Sequence, residues 1–196
     1  PEPHLDGRIM HLPRGRVLGG SSSINGMVYI RGHAQDYDRW AKEDPALKNW
    51  DYRHCLPYFR KSSTFEAGKN DYHGDEGPLH ITRGRGKNPL SQAFLQATAE
   101  AGYPYTEDMN GFQQEGFGPM DRTTKGGIRC SASVCYLDPV RKRRNLTILT
   151  RATATQLTLQ GNTVSGVLFN HRAKQCEAVA AKEVILSSGP INNPQL

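Results

Sequence analysis

Apolar residues recur at helical spacing in two stretches of the first half of the chain. Residues 36–61 are amphipathic and rich in aromatic side chains, and their spacing predicts two short helices. The second of these helices is expected to begin after a capping Asp51. The amphipathic pattern of residues 89–101 predicts a third helix, which ends before Gly102. Residues 79–82 alternate between apolar and polar positions and predict a short strand.

The last quarter of the chain is rich in strand-forming residues. The predicted strands are residues 146–149, 155–159, 164–169, 177–180 and 184–186. The first and last of these are continuously apolar, which is typical of buried parallel strands. The dipeptide Gly161-Asn162 predicts a hairpin turn between two of the others. We therefore expect a small antiparallel meander inserted into a parallel sheet.

The segments between these elements predict loops and one further helix. Residues 66–78 are rich in Gly, Asp and Asn, which favours a surface loop. Residues 108–118 form a glycine-punctuated loop in which we expect the aromatic residues Phe112 and Phe117 to be exposed. Residues 129–137 have the pattern of a helix start.

One polar stretch interrupts an otherwise apolar part of the chain. The run GGSSSING at positions 19–26 is flanked by Val17-Leu18 and by the apolar segment 27–30. Adjacent glycines let a ligand approach the main chain, and such a run offers backbone N–H groups to an anionic or ring-shaped molecule. A plain flexible loop gives the same composition. The apolar flanks favour a loop held against the core, and we expect it to pack on the predicted parallel sheet.

Composition and charge narrow the class of protein. The 196 residues are 36% hydrophobic and 22% charged, which is typical of a soluble globular protein. The net charge of +6 favours anionic surfaces, but the basic cluster 141–144 carries no aromatic residues for stacking on bases, so we expect no nucleic-acid partner. The four cysteines form no CxxC pair and the histidines are scattered. We therefore expect reduced thiols and no metal site.

Three segments together identify a family. GGSSSINGMVYIRG, NDYHG and AGYPYTEDMNGFQQEGFGPMDRT, with the terminal EVILSSGPINNPQL, resemble the glucose–methanol–choline (GMC) oxidoreductases along essentially the whole chain. Within that family these sequence motifs are most similar to those of the bacterial choline dehydrogenases. The position of Asn193 is usually occupied by a hydroxyl residue in the family signature.

The resemblance implies a mixed α/β fold, α+β overall. It would comprise part of an FAD-binding domain of the glutathione-reductase type and part of a substrate domain with an antiparallel sheet. Residues 1–75 would belong to the FAD domain, residues 76–128 to the substrate domain, and residues 129–196 to the FAD domain again. The family's dinucleotide-binding turn and its catalytic histidine have no counterpart here, so we expect an internal fragment and assign no catalytic residue.

The resemblance also implies the residues that contact FAD. They are Gly19, Gly20, Ser21, Asn25, Gly26, Met27, Val28, Ala154 and Gly189. Some members of the family attach FAD covalently to a histidine in this loop. Ile24 occupies that position here, so we expect FAD to be bound non-covalently.

The implied activity is oxidation of a primary alcohol by hydride transfer to flavin, with choline as the substrate and betaine aldehyde as the product on the way to glycine betaine. Tyr37, Phe112 and Phe117 are candidates for contact with the trimethylammonium group, with core packing as the alternative. We expect a respiratory electron acceptor, and a cytoplasmic protein or one peripheral on the cytoplasmic face of the inner membrane. A flavoprotein acting on another alcohol, a non-catalytic flavin-binding module and a basic nucleic-acid-binding piece are the alternatives.

Overall fold

The computed structural model describes residues 2–196, which form two compact units divided between Arg143 and Arg144. The first unit contains helices and short strands, and the second contains one antiparallel sheet. The predicted mixed α/β class is confirmed. The assignment of residues 1–75, 76–128 and 129–196 to FAD and substrate domains stays a prediction.

Three α-helices form in the first unit, at the places that the apolar spacing predicted. They are α1 (Ala34–Glu43), α2 (Tyr52–Ser62) and α3 (Pro89–Glu100). Each begins at a polar side chain that accepts a hydrogen bond from the first turn: His33, Asp51 and Asn88, respectively. After α3 the chain turns at Gly102, whose φ of +80° lies in the left-handed region that glycine tolerates.

An aromatic cluster joins α1 to α2. The ring centroid of Tyr37 lies 5.4 Å from that of Trp40 and 5.8 Å from that of Phe59, both in edge-to-face geometry. The ring centroid of Tyr52 lies 6.1 Å from that of Tyr37. Tyr37, Tyr52 and Phe59 are half-buried in this cluster and Trp40 stays 42% exposed, so this part of the aromatic set packs the two helices together.

The strands of the first unit are short. β1 (Ser63–Phe65) pairs in parallel with β2 (Leu79–Ile81). β3 (Thr124–Lys125) and β4 (Ile128–Arg129) form a hairpin. A π-helical turn (Ser133–Leu137) follows the hairpin where a helix start was predicted. Single 3-10 turns complete the unit at Pro3–Leu5, Gly20–Ser23, Pro45–Leu47 and Asp138–Val140.

The second unit is an antiparallel meander. Its strands are β5 (Ala152–Gln160), β6 (Thr163–His171) and β7 (Lys174–Val179), in that order across the sheet. The turn between β5 and β6 consists of the two residues Gly161 and Asn162, and Gly161 has a φ of +60°. The predicted meander and its hairpin turn are confirmed.

The two predicted parallel strands are not formed. Residues 146–149 and 184–186 run irregularly, and Leu149 and Ile185 are exposed. A strand is stable only when a neighbour satisfies its backbone groups. Among residues 144–196 no segment pairs with either of these two. The prediction of a parallel sheet made by these two segments is therefore wrong, and the placement of the glycine loop against them stays a prediction.

A partly buried ionic network lies in the interior of the first unit. His73 is fully buried, and its Nε2 lies 2.7 Å from Oδ2 of Asp108. Arg83 lies 3.5 Å from the same carboxylate through Nη2 and donates through Nε to Asp121 at 3.0 Å. The His73 ring stacks on Phe65 with centroids 3.9 Å apart. The network thus joins charge pairing to apolar packing.

Asn110 extends this network to the chain segment that follows the glycine loop. Its Oδ1 accepts a hydrogen bond from the N–H of Arg31 at 2.8 Å, and its Nδ2 donates to the carbonyl of Tyr29 at 3.2 Å. The same Nδ2 lies 3.3 Å from Asp121 Oδ2. Asn110 is fully buried. Because both sides of its amide are used, no residue of similar shape can make the same set of bonds.

The half-buried carboxylate of Asp108 and the buried carboxylate of Asp121 have opposite pKa shifts. Burial raises the pKa of Asp108, but the hydrogen bonds from His73 and from the Asn110 N–H, with the charge of Arg83, outweigh burial and leave the pKa below its usual value. Burial also raises the pKa of Asp121, and there the charge of Arg83 offsets it only in part. Asp108 is therefore the anion on which the network is centred.

Replacing His73 tests how much this network contributes to the free energy of unfolding. We expect His73→Ala to lower the free energy of unfolding by about 3 kcal/mol, because it opens a cavity beside Phe65 and leaves Asp108 short of one partner. Urea denaturation at neutral pH measures the change. His11 is exposed, so His11→Ala serves as the control and should shift stability by less than about 0.5 kcal/mol. Equal stability of the two variants would show that the network is dispensable.

Candidate functional site

The run of glycines and serines forms a tight turn and not a flexible linker. Gly20–Ser23 is a 3-10 helix, and Gly19 and Gly20 both have positive φ, +87° and +54°. A Cβ on Gly19 would lie 2.5 Å from Ser23 Oγ and 3.1 Å from the backbone nitrogen of Ser133. The glycine turn is therefore in close contact with the first residue of the π-helical turn, and only glycine fits at position 19.

Two serine side chains, those of Ser22 and Ser23, stabilise this turn by hydrogen bonds to the backbone. Ser22 Oγ donates to the carbonyl of Gly19 and accepts the N–H of Ala132 at 2.8 Å. Ser23 Oγ donates to the carbonyl of Leu18 at 2.8 Å. Both hydroxyls donate their proton to a backbone carbonyl of this chain, so they stabilise the loop and do not donate to a ligand.

The end of the loop is fixed by the segment that leads into the β3–β4 hairpin. The N–H of Thr123 donates to the carbonyl of Met27 at 2.8 Å, and the N–H of Tyr29 donates to the backbone carbonyl of Asp121 at 2.9 Å. Met27 has a φ of +64°, which is uncommon for a residue with a side chain. Its N–H donates to Asn25 Oδ1 at 3.1 Å, and this local bond helps to hold the strained conformation.

Arg129 contacts the loop from the same hairpin. Its Nη1 lies 2.8 Å from both the carbonyl oxygen and Oδ1 of Asn25, and 3.2 Å from the carbonyl oxygen of Ser22. The guanidinium thus contacts three acceptors on two residues of the loop, Ser22 and Asn25. These bonds link the glycine run to β4.

The opposite face of the loop is bare main chain. A Cβ built on Gly20 or on Gly26 would meet no atom within 4 Å. Asn25 and Ser21 are exposed beside them. Within residues 2–196, Nδ2 of Asn25 donates to no acceptor. The N–H of Gly20 donates to the carbonyl of Val17 at 2.9 Å, so this open face can present the N–H of Gly26 and the amide group of Asn25 to a flat or anionic ligand.

A cleft of about 1190 Å³ adjoins the end of the loop. Its lining includes Gly26, Met27 and Val28 of the loop, and Leu90 and Phe94 of α3. Three arginines, Arg83, Arg85 and Arg122, face a single carboxylate, Glu66. The cleft is therefore large enough for a small molecule and positively charged.

A second, smaller cavity contains thiols. It has a volume of about 420 Å³, and its lining includes His80, Lys125, Cys130 and Cys135. Burial raises the pKa of the Cys135 thiol, and its hydrogen bond with Cys130 raises it further. Burial and the neighbouring Lys125 lower the pKa of His80. The Cys135 thiol is protonated at neutral pH, so it is a poor nucleophile and is best explained as packing.

The predicted site residues fall into two groups. Gly19, Gly20, Ser21, Asn25, Gly26, Met27 and Val28 lie together in the loop of the first unit. Ala154 lies on β5, opposite Phe169, and Gly189 lies after the meander with a φ of +89°. Their role in ligand contact stays a prediction for both groups. In Asn25, the side-chain oxygen is occupied by Met27 and Arg129, so only its NH₂ group is available to a ligand.

The three aromatic candidates differ in environment. Tyr37 packs between the helices of the first unit, and Phe117 contacts Phe94 and Tyr103 with ring centroids 5.7 and 5.4 Å away. The prediction that Phe117 is exposed is wrong, because these rings half-bury it. Phe112 is 91% exposed, so of the three it alone has a free ring face.

Sequence reasoning missed the residues that support the loop. Arg129 and Thr123 carry no local signal, because an arginine or threonine beside a glycine turn occurs on any surface. His73, Asp108 and Asn110 stood in the motifs that identified the family, but the motifs alone did not show that their side chains meet. The cleft arises from residues far apart in sequence and has no sequence signature.

Comparison with protein families and curated relatives gives consistent matches. The model of the GMC oxidoreductase family matches residues 3–196. The mitochondrial choline dehydrogenase of Mus musculus is 53% identical over the whole chain, which corresponds to 33% of that protein. An oxygen-dependent choline dehydrogenase of Pseudomonas putida is 55% identical, again over the whole chain and 35% of its own length. The chain thus spans about a third of the length of these curated relatives.

Solved structures match the fold. An FAD-dependent oxidoreductase from Chaetomium thermophilum superposes with a TM-score of 0.88 at 27% identity, over 98% of this chain and 35% of that one. Pyridoxine 4-oxidase from Mesorbium loti gives a TM-score of 0.81 at 34% identity, over 89% of this chain and 34% of that one.

The two glycines at the start of the turn offer a matched pair of substitutions. We expect Gly20→Ala to lower the free energy of unfolding by about 1–2 kcal/mol, since its φ is positive but the space beside it is open. Gly19→Ala should cost about 3 kcal/mol, because the added methyl group also meets Ser23 and the backbone of Ser133. Chemical denaturation compares the two. A larger loss for Gly20→Ala than for Gly19→Ala would contradict the packing described for the turn.

Proposed function

The chain belongs to the family of GMC oxidoreductases, and we propose on this premise that its glycine loop holds FAD in an enzyme that oxidises choline. The observation that carries the proposal is the division of the loop into two faces. Ser22, Ser23 and Arg129 anchor one face, and bare backbone at Gly20 and Gly26 forms the other. Such a surface suits a large planar cofactor with an anionic pyrophosphate.

The residues present fit FAD on this criterion. A ligand can reach the main chain at Gly20 and Gly26, where a side chain would otherwise stand. The NH₂ group of Asn25 and the exposed hydroxyl of Ser21 are further donors. Ala154 and Gly189 are proposed as additional contacts from the second unit. When bound, FAD supplies the acceptor for the hydride and so for both electrons of the oxidation.

In the proposed reaction the alcohol carbon of choline loses a hydride and its hydroxyl loses a proton, giving betaine aldehyde. No residue of this chain is proposed as the base that takes the proton. The loop residues bind and orient, and they exclude water from one face of the cofactor. Further oxidation of the hydrated aldehyde would give glycine betaine.

The choice of choline rests on the curated relatives. Choline dehydrogenases are 52–55% identical to this chain, whereas pyridoxine 4-oxidase, which acts on another alcohol, is 34% identical. The cleft beside the loop is unsuited to the trimethylammonium group, because Arg85 and Arg122 outnumber Glu66 there even with Arg83 already paired to Asp121. We propose that the cationic group binds elsewhere, and Phe112 is the exposed aromatic residue that remains available.

The electron acceptor and the location are proposals as well. We propose a respiratory acceptor and a cytoplasmic protein, or one bound peripherally at the cytoplasmic face of the inner membrane. The net charge of +6 favours contact with anionic lipid headgroups. In the part of the chain that the structure describes, no helix is both long enough and apolar enough to cross a bilayer.

FAD binding tests the role of the open face. We expect the full-length protein to bind FAD, and Gly26→Val to weaken binding at least about tenfold by occupying the ligand space. Because an added Cβ would meet no protein atom within 4 Å and φ at Gly26 is not positive, the melting temperature of the FAD-free protein should stay close to that of the wild type. Gln175→Val, an exposed position on β7, is the control and should bind FAD like the wild type.

Choline turnover is the second arm of this test. Reduction of an artificial electron acceptor should depend on both choline and FAD, and oxygen uptake compared with quinone reduction identifies the class of acceptor. Flavin binding without choline turnover would favour another alcohol or a non-catalytic module. Absence of flavin binding by the wild type would refute the proposal.

The mode of FAD attachment gives a separate prediction. Ile24, at the position where covalent relatives carry histidine, has no atom that can bond to the flavin. We therefore expect acid precipitation of the FAD-loaded protein to leave the yellow colour in the supernatant. A yellow pellet that survives washing in denaturant would mean that another residue, such as His11 or His33, is attached to the cofactor.

A further inference from the structure

Arg129 is placed to control the orientation of one peptide group in the loop. Its Nη1 lies 2.8 Å from the carbonyl oxygen of Asn25 and 2.8 Å from Oδ1 of the same residue. The peptide between Asn25 and Gly26 is trans. In a trans peptide the carbonyl and the N–H point in opposite directions. The N–H of Gly26 therefore points away from Arg129.

That N–H is directed to the open face. Gly26 has no atom within 4 Å of an added Cβ. Its N–H meets no acceptor within residues 2–196, whereas the N–H groups of Ile24 and Asn25 both donate to the carbonyl of Ser21. Gly26 thus presents an unpaired backbone donor at the place where the loop is bare.

Arg129 is itself held by its hairpin. It ends β4, which pairs with β3, and the next residue, Cys130, donates its N–H to the carbonyl of Thr123 at 2.9 Å. Thr123 also donates to Met27, on the other side of Gly26. One hairpin therefore fixes the loop both before and after Gly26, and Arg129 is its contact with the preceding peptide.

We infer that Arg129 is a positioning residue for the cofactor: it holds the Asn25–Gly26 peptide so that the N–H of Gly26 donates to bound FAD. The inference rests on the proposed function. Arg129 acts through the loop and does not itself contact the cofactor. Its guanidinium suits the task because it stays charged and its nitrogens lie in a fixed plane.

Substitution separates this role from a purely structural one. We expect Arg129→Met to weaken FAD binding about tenfold or more, as the loss of a directed donor implies, while the melting temperature of the FAD-free protein stays close to that of the wild type. Arg129→Lys, which keeps the charge and can reach one carbonyl, should recover part of the affinity. Arg143 is exposed, so Arg143→Met is the control for loss of charge and should bind FAD normally.

The outcomes distinguish this inference from the proposed function. If the wild type binds FAD and Arg129→Met binds it equally well, the inference is wrong and the proposed function stands. If Arg129→Met lowers the melting temperature of the FAD-free protein and Arg129→Lys recovers no affinity, the role is structural and the inference is wrong. If the wild type binds no FAD, both fail.

Amide hydrogen exchange tests the same point without a variant. In protein labelled with ¹⁵N at glycine and asparagine, the Gly26 amide should exchange fast without FAD and slowly with it. The Asn25 amide, already bonded to Ser21, should be protected in both states. A Gly26 amide that is slow without FAD, or that FAD does not protect, would overturn the inference even if Arg129→Met fails to fold.

Discussion

The carboxylate of Asp108 is the interaction on which the first unit depends. It binds His73 and lies near Arg83, and Arg83 in turn binds Asp121. Asn110 connects this group to the chain that leaves the glycine loop. A buried charge is costly unless its partners are in place. The segments that supply those partners, far apart in sequence, must therefore come together for the unit to fold.

The loop depends on this interior through a short path. The backbone carbonyl of Asp121 accepts the N–H of Tyr29. Two residues further on, the carbonyl of Thr123 accepts the N–H of Cys130, and the N–H of Thr123 donates to the carbonyl of Met27. Anchoring one face of the loop to a rigid hairpin leaves the other face free without making it mobile. A preorganised set of donors binds a ligand more tightly than a flexible one, because less ordering is needed on binding.

The sequence predicted those features whose cause is local. Asp51 and Gly102 mark the start of one helix and the end of another because capping and positive φ act within a few residues, and Gly161-Asn162 encodes its own turn. The strands at 146–149 and 184–186 were wrongly predicted because a strand needs a partner that its own residues cannot specify. Arg129 and the His73–Asp108 pair were missed for the same reason. Their role depends on contacts between residues far apart in the chain.

The polar character of the first unit's interior also affects how its stability varies with temperature. The fully buried side chains include His73, Asn110 and Ser63, with Ile81 as the large apolar member of that group. On unfolding, exposed apolar surface raises the heat capacity, whereas exposed polar surface lowers it. We therefore expect this unit to have a smaller heat-capacity change per residue than a domain of the same size with an apolar core. Its free energy of unfolding should therefore vary less with temperature, and cold denaturation should occur at a lower temperature.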